Sequence, residues 1–271
     1  MDRRLTPANE RVAFEGMHAP PAEARLVCGD RMRVVQPVVD LRASPDGARD
    51  KQMLLGQGFT VLEVHNGWAF GFDSVDNYVG YLPQAAVAKT GAPTHRVVVR
   101  QSHIYPAPDF KSREIATLSF LCELEVVGEV GRFAELAGGG FVPRPHVKPL
   151  SWLTGDAVSV AELFLGTPYL WGGNCGSGID CSGLVQLALL AAGRACPRDS
   201  DMQESLGSEV RGPLRRGDLL FWKGHVAMVV DETRIIHANA YHMAVAYEGI
   251  EAAIARIEAQ GDGPVTVRRR P

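Results

Sequence analysis

Tyr169-Leu170-Trp171-Gly172-Gly173, followed by Asp180-Cys181-Ser182-Gly183-Leu184-Val185, is the stretch on which the reading of this chain turns. A glycine-rich loop, Gly172–Gly178, runs into a cysteine that begins an apolar segment. Between Cys181 and Ala192 the apolar residues Leu184, Val185, Leu187, Ala188, Leu189, Leu190 and Ala191 are too many for one stripe. A helix apolar nearly all round lies buried at the centre of its domain. A cysteine at the start of such a helix meets unpaired backbone N–H groups and the positive end of the macrodipole, and both favour the thiolate. A merely structural cysteine is the commoner fate of the residue, but it needs no flexible approach to a helix start.

Two histidines follow on short apolar strands, His225 ahead of Val226–Val230 and His237 at the end of Arg234–His237. With Asp231-Glu232-Thr233 as the hairpin loop, Val230 lies opposite Arg234 and paired residue numbers sum to an even value. His225 and His237 then project from one face as diagonal neighbours; a loop one residue longer or shorter would part them. On one face, His225 can meet the thiol and serve as base and acid, while His237 holds its tautomer. A zinc site made of Cys175, Cys181, His225 and His237 lacks the close ligand pairs such sites use, so no metal is expected.

Working outward, the first half of the chain reads as short strands with turn signals such as Ser44-Pro45-Asp46-Gly47 and the hairpin dipeptide Asn66-Gly67. The pattern recurs about sixty residues on. Leu41-Arg42-Ala43-Ser44-Pro45-Asp46 answers Ile104-Tyr105-Pro106-Ala107-Pro108-Asp109, and Val79-Gly80-Tyr81-Leu82-Pro83 answers Gly140-Phe141-Val142-Pro143. One small β-barrel per copy is the implied unit. The expected divisions are a leader over 1–31 that straps onto other parts, barrels over 32–90 and 95–148, and an α/β domain over 150–271. Pro143–Pro149 reads as a stiff linker, Glu248–Gln260 as a closing helix, and Arg268-Arg269-Arg270 as a solvated tail.

Composition narrows the function. Of 271 residues 46% are apolar, enough for packed cores, and a net charge of −3 gives no electrostatic case for nucleic acid. No run approaches the ~20 apolar residues of a bilayer span, so no membrane partner is expected. Met1–Glu10 lacks the apolar segment of a secretory signal, which makes a cytoplasmic location the expectation. Five cysteines without small-scaffold spacing argue against a disulfide framework. A monomer is the default.

Several blocks together resemble the NlpC/P60 cysteine peptidases of bacterial cell-wall metabolism. They are Gly166–Gly173, Asp180–Val185, Arg216-Gly217-Asp218-Leu219-Leu220-Phe221-Trp222, His225–Val229 and Ile236-His237-Ala238. Gly67-Trp68 and Gly80-Tyr81-Leu82-Pro83 resemble bacterial SH3-like domains, the second copy being degenerate. The resemblance implies an α+β chain, a papain-like NlpC/P60 catalytic domain preceded by two small SH3-like β-barrels. It implies Cys181 as nucleophile, His225 as general base and acid, His237 as orienter and Tyr169 at the oxyanion; Trp171 is a further substrate-binding candidate. No cofactor is implied.

Two such barrels ahead of this domain look like the γ-D-glutamyl-L-diamino-acid endopeptidases that recycle murein peptides. In that type the first barrel walls off the cleft, and only a peptide with a free L-alanine amine fits. Asp180 would meet the amine and Ser182 the γ-linked D-glutamate. Tyr78 or Tyr81, with Glu63, Asp73 or Asp76, would complete the amine pocket. The competing readings are a non-catalytic peptidoglycan-binding protein, a thiol acyltransferase or amidase on another amide or lipid, and a secreted cell-separation hydrolase.

Overall fold

The computed structural model describes all 271 residues, which fall into two units, Met1–Ser151 and Trp152–Pro271. The first unit is built from strands joined by tight turns. A seven-stranded sheet runs in the order Arg49–Leu54, Val38–Arg42, Val79–Pro83, Trp68–Asp73, Gly58–His65, Asp30–Val34, Val87–Ala88. Asn66 (φ 48°) and Gly67 (φ 79°) close the central hairpin with His65 opposite Trp68. Two consecutive positive φ values define the turn whose twist matches that of its strands, and Asn-Gly is the dipeptide that tolerates them best.

One face of this sheet packs a core of Leu41, Met53, Phe59, Ala69, Tyr78 and Leu82. The other presents Leu62, Phe70 and Val79, and the leader covers them with Val12, Phe14 and Val27. Val12–Phe14 pairs in parallel with Arg25–Val27. Arg3 grips Asp50 through two 2.7 Å hydrogen bonds, and Arg11 and Asn9 both hold Glu63. The strap thus fills an apolar patch that an exposed sheet face would leave wet.

The sixty-residue offset is visible in the backbone. Val130 pairs with Phe133 across a two-residue turn at Gly131 (φ 59°), as His65 pairs with Trp68. The strand Val79–Pro83 leads into the 3-10 turn Gln84–Ala86, and Phe141–Pro143 leads into Arg144–His146. Here the linker expectation fails. Val147–Pro149 is a strand paired with His95–Val97, so Pro143–Pro149 belongs to the folded second copy. The prolines stiffen a strand–turn–strand step; Pro83 does the same sixty residues earlier.

In the second unit a six-stranded sheet has the order Ser208–Glu209, Val267–Arg270, Leu219–Trp222, His225–Val229, Arg234–Asn239, Ala244–Gly249. Helix α1 (Ala157–Leu163) starts at the N-cap Asp156. Helix α2 (Cys181–Ala191) is buried at every position except Leu190, as its all-round apolar sequence requires, and packs on the two strands that carry the histidines. Helix α3 is the single turn Ser200–Gln203, and α4 (Ile250–Ala259) covers the sheet with Ile250, Ala253 and Ile257 against Leu220, Trp222, Val229 and Ile235.

Two further expectations are corrected. Arg268–Arg270 is no free tail: it lies in a strand paired on both sides, and Arg270 forks onto buried Asp218 at 2.7 Å through both Nε and Nη2. Glu248 is not helical either. It stands on the strand Ala244–Gly249, opposite Ile235, and α4 begins only at Ile250.

Candidate active site

Asp180 makes the local geometry of the cysteine. It is the N-cap of α2, and its Oδ1 accepts from the Gly183 N–H at 2.7 Å. Its Oδ2 accepts from the Gly172 N–H at 2.9 Å, a residue whose φ of 69° turns the glycine-rich loop back over the helix start. Arg198 completes the arrangement. Only 1% exposed, it donates from Nη2 to Asp180 Oδ2 at 2.8 Å and to the Gly173 carbonyl at 3.1 Å. Its Nη1 donates to Ser182 Oγ at 2.8 Å. Gln203 adds a hydrogen bond from Nε2 to the Ser182 carbonyl at 2.9 Å. The residues flanking Cys181 are therefore fixed from behind by a buried, fork-shaped cation.

This has a consequence for Asp180. A carboxylate offers about four acceptor positions, and Gly172, Gly183, Arg198 and Ser182 (3.4 Å) already use them. An incoming ammonium would have to displace one donor, and Ser182 Oγ makes the longest bond. Trp171 is 71% exposed, and Tyr169 is half-buried near both Cys181 and Asp180. Burial, then those two charges, push its phenol well above the usual range, so Tyr169 keeps its hydroxyl proton.

The hairpin register is as expected. Met228 pairs with Ile236 and Val229 with Ile235, and the Val230 N–H donates to the Arg234 carbonyl. Beyond Met228 the two strands part, and His225 Nε2 lies 2.9 Å from His237 Nδ1. His237 Nε2 lies 3.1 Å from Glu248 Oε2, which can only accept. In the neutral ring this leaves His237 Nδ1 as acceptor, so His225 donates from Nε2 and keeps its Nδ1 lone pair for a proton. Arg256 forks onto Glu248 at 2.8 and 2.7 Å and holds the carboxyl far below its usual range. The Cys181 sulfur lies at the backbone N–H of Val226, the residue after His225.

Burial controls the protonation states. It pushes the Cys181 thiol up to about 12, with the Asp180 charge adding to it, and the His225 imidazole down to about 3, helped by His237 and Arg256. His237 is lowered too, by burial against the pull of Glu248. The resting pair is a neutral thiol beside a neutral imidazole. Such a pair can pass a proton from sulfur to the imidazole, and an imidazolium formed at His225 would be stabilised through His237 by Glu248. His237, His242 and Glu248 are close enough to share one ion, but Arg256 occupies both carboxylate oxygens and opposes a cation there.

The amine-pocket candidates all lie in the first unit, each with a local partner. Tyr78 is a buried member of the barrel core, and Tyr81 packs on Phe70 (ring centroids 4.9 Å) beneath the leader. Asp73 and Asp76 share the buried Lys51 ammonium at 2.6 and 3.1 Å, and Glu63 is held by Arg11. The residues that sequence reasoning passed over are Arg198, Gln203, Glu248 and Arg256. Their only local signal was an arginine after Pro197, which reads as surface until its buried partners are known.

The NlpC/P60 family model matches residues 166–256, and that of the bacterial dipeptidyl-peptidase Sh3 domain matches residues 41–87. A gamma-D-glutamyl-L-lysine dipeptidyl-peptidase of Bacillus cereus is 30% identical over 223 residues, 70% of this chain and 67% of the relative. Its namesake in Bacillus subtilis is 30% identical over 178 residues; the match covers 59% of this chain and 60% of that relative's length. Dipeptidyl-peptidase 6 of Lysinibacillus sphaericus is 27% identical over 238 residues, 76% of this chain and 86% of the relative. An NlpC/P60 family protein from Bacillus cereus ATCC 10987 shares the fold, with a TM-score of 0.75 at 20% identity over 89% of this chain and 99% of that one. No helix is long and apolar enough to cross a membrane. With an NlpC/P60 domain behind a bacterial dipeptidyl-peptidase SH3 domain, the chain belongs to the NlpC/P60 family.

Proposed function

We propose that this protein is a cysteine peptidase that hydrolyses the amide between γ-linked D-glutamate and a diamino acid in murein peptides with a free N-terminal L-alanine. The products are L-Ala-D-Glu and the diamino-acid portion, as fits the recycling of cell-wall peptides. The observation that carries the reading is Cys181 at the start of α2, its sulfur at the Val226 N–H next to His225, and the chain from His225 through His237 to Glu248. The names of two relatives support the substrate class, and that of a third supports a dipeptidyl-peptidase.

In the proposed reaction the Cys181 proton passes to His225 Nδ1 as sulfur adds to the γ-carbonyl carbon. The oxyanion is held by the Cys181 backbone N–H and the Tyr169 hydroxyl. His225 then gives the proton to the departing amine as the C–N bond breaks, leaving a thioester that water hydrolyses with His225 as base.

The test is mass-spectrometric. L-Ala-γ-D-Glu-L-Lys and its meso-diaminopimelate counterpart are offered beside the same peptides acetylated on the alanine amine. Release of L-Ala-D-Glu from the free-amine peptides alone is the expected result. Equal cleavage of the acetylated peptides would remove amine recognition, and no cleavage of either would remove the peptidase reading.

Glu248 and Arg256 give a second test, on pH. Glu248 raises both imidazoles and Arg256 lowers both. Glu248→Gln should therefore move the acid limb of kcat/KM to lower pH, and Arg256→Gln should move it to higher pH. The turnover of Glu248→Gln should fall roughly tenfold to hundredfold, as for other carboxylates that orient a functional imidazole. Limbs that move together would reduce the pair to packing.

A further inference from the structure

A cavity of about 200 Å³ opens beside His225, lined by Lys223, Asn239, Tyr241, Arg256 and Asp262 as well as Tyr169. Its size falls below the ~300–1,000 Å³ of pockets for drug-sized ligands, and suits a single amino acid. Neither Asp180 nor Ser182 lines it, so it is separate from the loop and helix start that flank the sulfur. It adjoins the imidazole that hands a proton to the departing amine.

Two of the residues lining the cavity carry a polar group with no partner in the protein. Asn239 is only 5% exposed, and its Oδ1 accepts from the His242 N–H at 2.8 Å and lies 3.0 Å from His242 Nδ1. Its Nδ2 is buried with no hydrogen-bond partner. A buried unsatisfied donor is costly and rare in a folded protein. Asn239 ends the strand Arg234–Asn239, two residues after His237, and lines the cavity together with His225. The second group is the Lys223 ammonium. Lys223 and Gly224 (φ 74°) form the two-residue turn between the paired Trp222 and His225. The lysine is exposed and has no ion-pair partner. Arg256, by contrast, is fully engaged by Glu248, by Gln260 at 2.8 Å and by the Tyr241 ring at 4.5 Å. The free positive charge of the cavity is thus Lys223, and its carboxylate is Asp262.

We infer that this cavity is the subsite for the leaving diamino acid, with Lys223 and the Asn239 amide holding its α-carboxylate and Asp262 facing its side-chain ammonium. The inference rests on the acyl-transfer reading above. In a diamino acid the α-carboxylate sits one carbon from the amine that His225 must protonate, so anion donors are needed close to that imidazole. Lys223, two residues before His225, and Asn239, two residues after His237, line the cavity beside it. An uncharged or acidic leaving residue would leave Asp262 unpaired.

The experiment compares kcat/KM for L-Ala-γ-D-Glu-L-Lys ending in a free carboxylate with the same peptide ending in a carboxamide. The wild type should prefer the acid by about tenfold to hundredfold, the usual worth of a charge-assisted hydrogen bond. In Lys223→Gln the ratio should fall toward one, and Lys223→Arg should restore most of it. An unchanged ratio in Lys223→Gln would overturn the proposal. Binding of free L-lysine and of L-lysinamide to Cys181→Ala protein, followed by NMR, separates the two readings. If no peptide is cleaved, a preference for lysine that Lys223→Gln abolishes upholds the subsite and sinks only the peptidase reading. Absence of both cleavage and lysine binding sinks the subsite as well.

Discussion

Cys181→Ala should lower peptide cleavage by about 10⁴–10⁶-fold, the loss expected when a nucleophile acting as one unit with its base is removed. Stability should change by no more than about 1 kcal/mol, because alanine fits the first turn of α2 and no hydrogen bond of Asp180 depends on the sulfur. The wild-type thiol itself should show an unusual pH dependence. A preformed thiolate–imidazolium pair has a thiol pKa below that of its imidazole and alkylates readily at mildly acid pH. Here the order is reversed, with the thiol up near 12 and the imidazole down near 3, so both groups are neutral between those values. Iodoacetamide labelling of Cys181 should be slow at neutral pH and climb steadily toward alkaline pH, as peptide mass spectrometry would record. A plateau of fast labelling below pH 7 would show that the ion pair is present before substrate arrives.

The second large effect belongs to Arg198→Met. Removing one member of a buried ion pair costs about 3–5 kcal/mol, because the other charge is left uncompensated in the interior. Arg198 also holds Ser182 and the Gly173 carbonyl, so its loss frees the loop and the helix start together. The bare Asp180 carboxylate would raise the thiol further, and cleavage should fall along with stability in urea titration. Arg198→Lys should rescue little, since one ammonium cannot reproduce the planar fork. Pairing Arg198→Met with Asp180→Asn removes the orphaned charge and should recover much of the stability without the activity. If Arg198→Met alone leaves both intact, the buried network is not what positions the site.

The parts of this molecule that were legible in the sequence are those whose signal is local. The all-round apolar run after Cys181 forms a buried helix, Asn66-Gly67 forms its hairpin, and a three-residue loop at Asp231–Thr233 aligns His225 with His237. What escaped depends on partners distant in sequence. Glu248 reads as the start of an amphipathic helix, because only pairing with Arg234–Asn239 extends its segment as a strand. Arg270 reads as part of a solvated tail until buried Asp218 is seen beside it, and Arg198 has no local sign of its buried partner Asp180. Pro143–Pro149 looks like a spacer for the same reason: prolines announce rigidity, but the strand His95–Val97 that they join lies some fifty residues away. Asn239 carried no signal at all, since an empty hydrogen-bonding position appears only once the surrounding backbone is placed.

The neutral resting state of Cys181 also bears on how the molecule ages. Peroxides attack thiolates far faster than thiols, and susceptibility follows thiolate character and exposure. A buried sulfur that holds its proton at neutral pH is therefore spared. Cys28, the one exposed thiol, stands at the end of the leader strand Arg25–Val27. Oxidative damage should accumulate there first, on the strap over the barrel, while Cys181 stays a thiol.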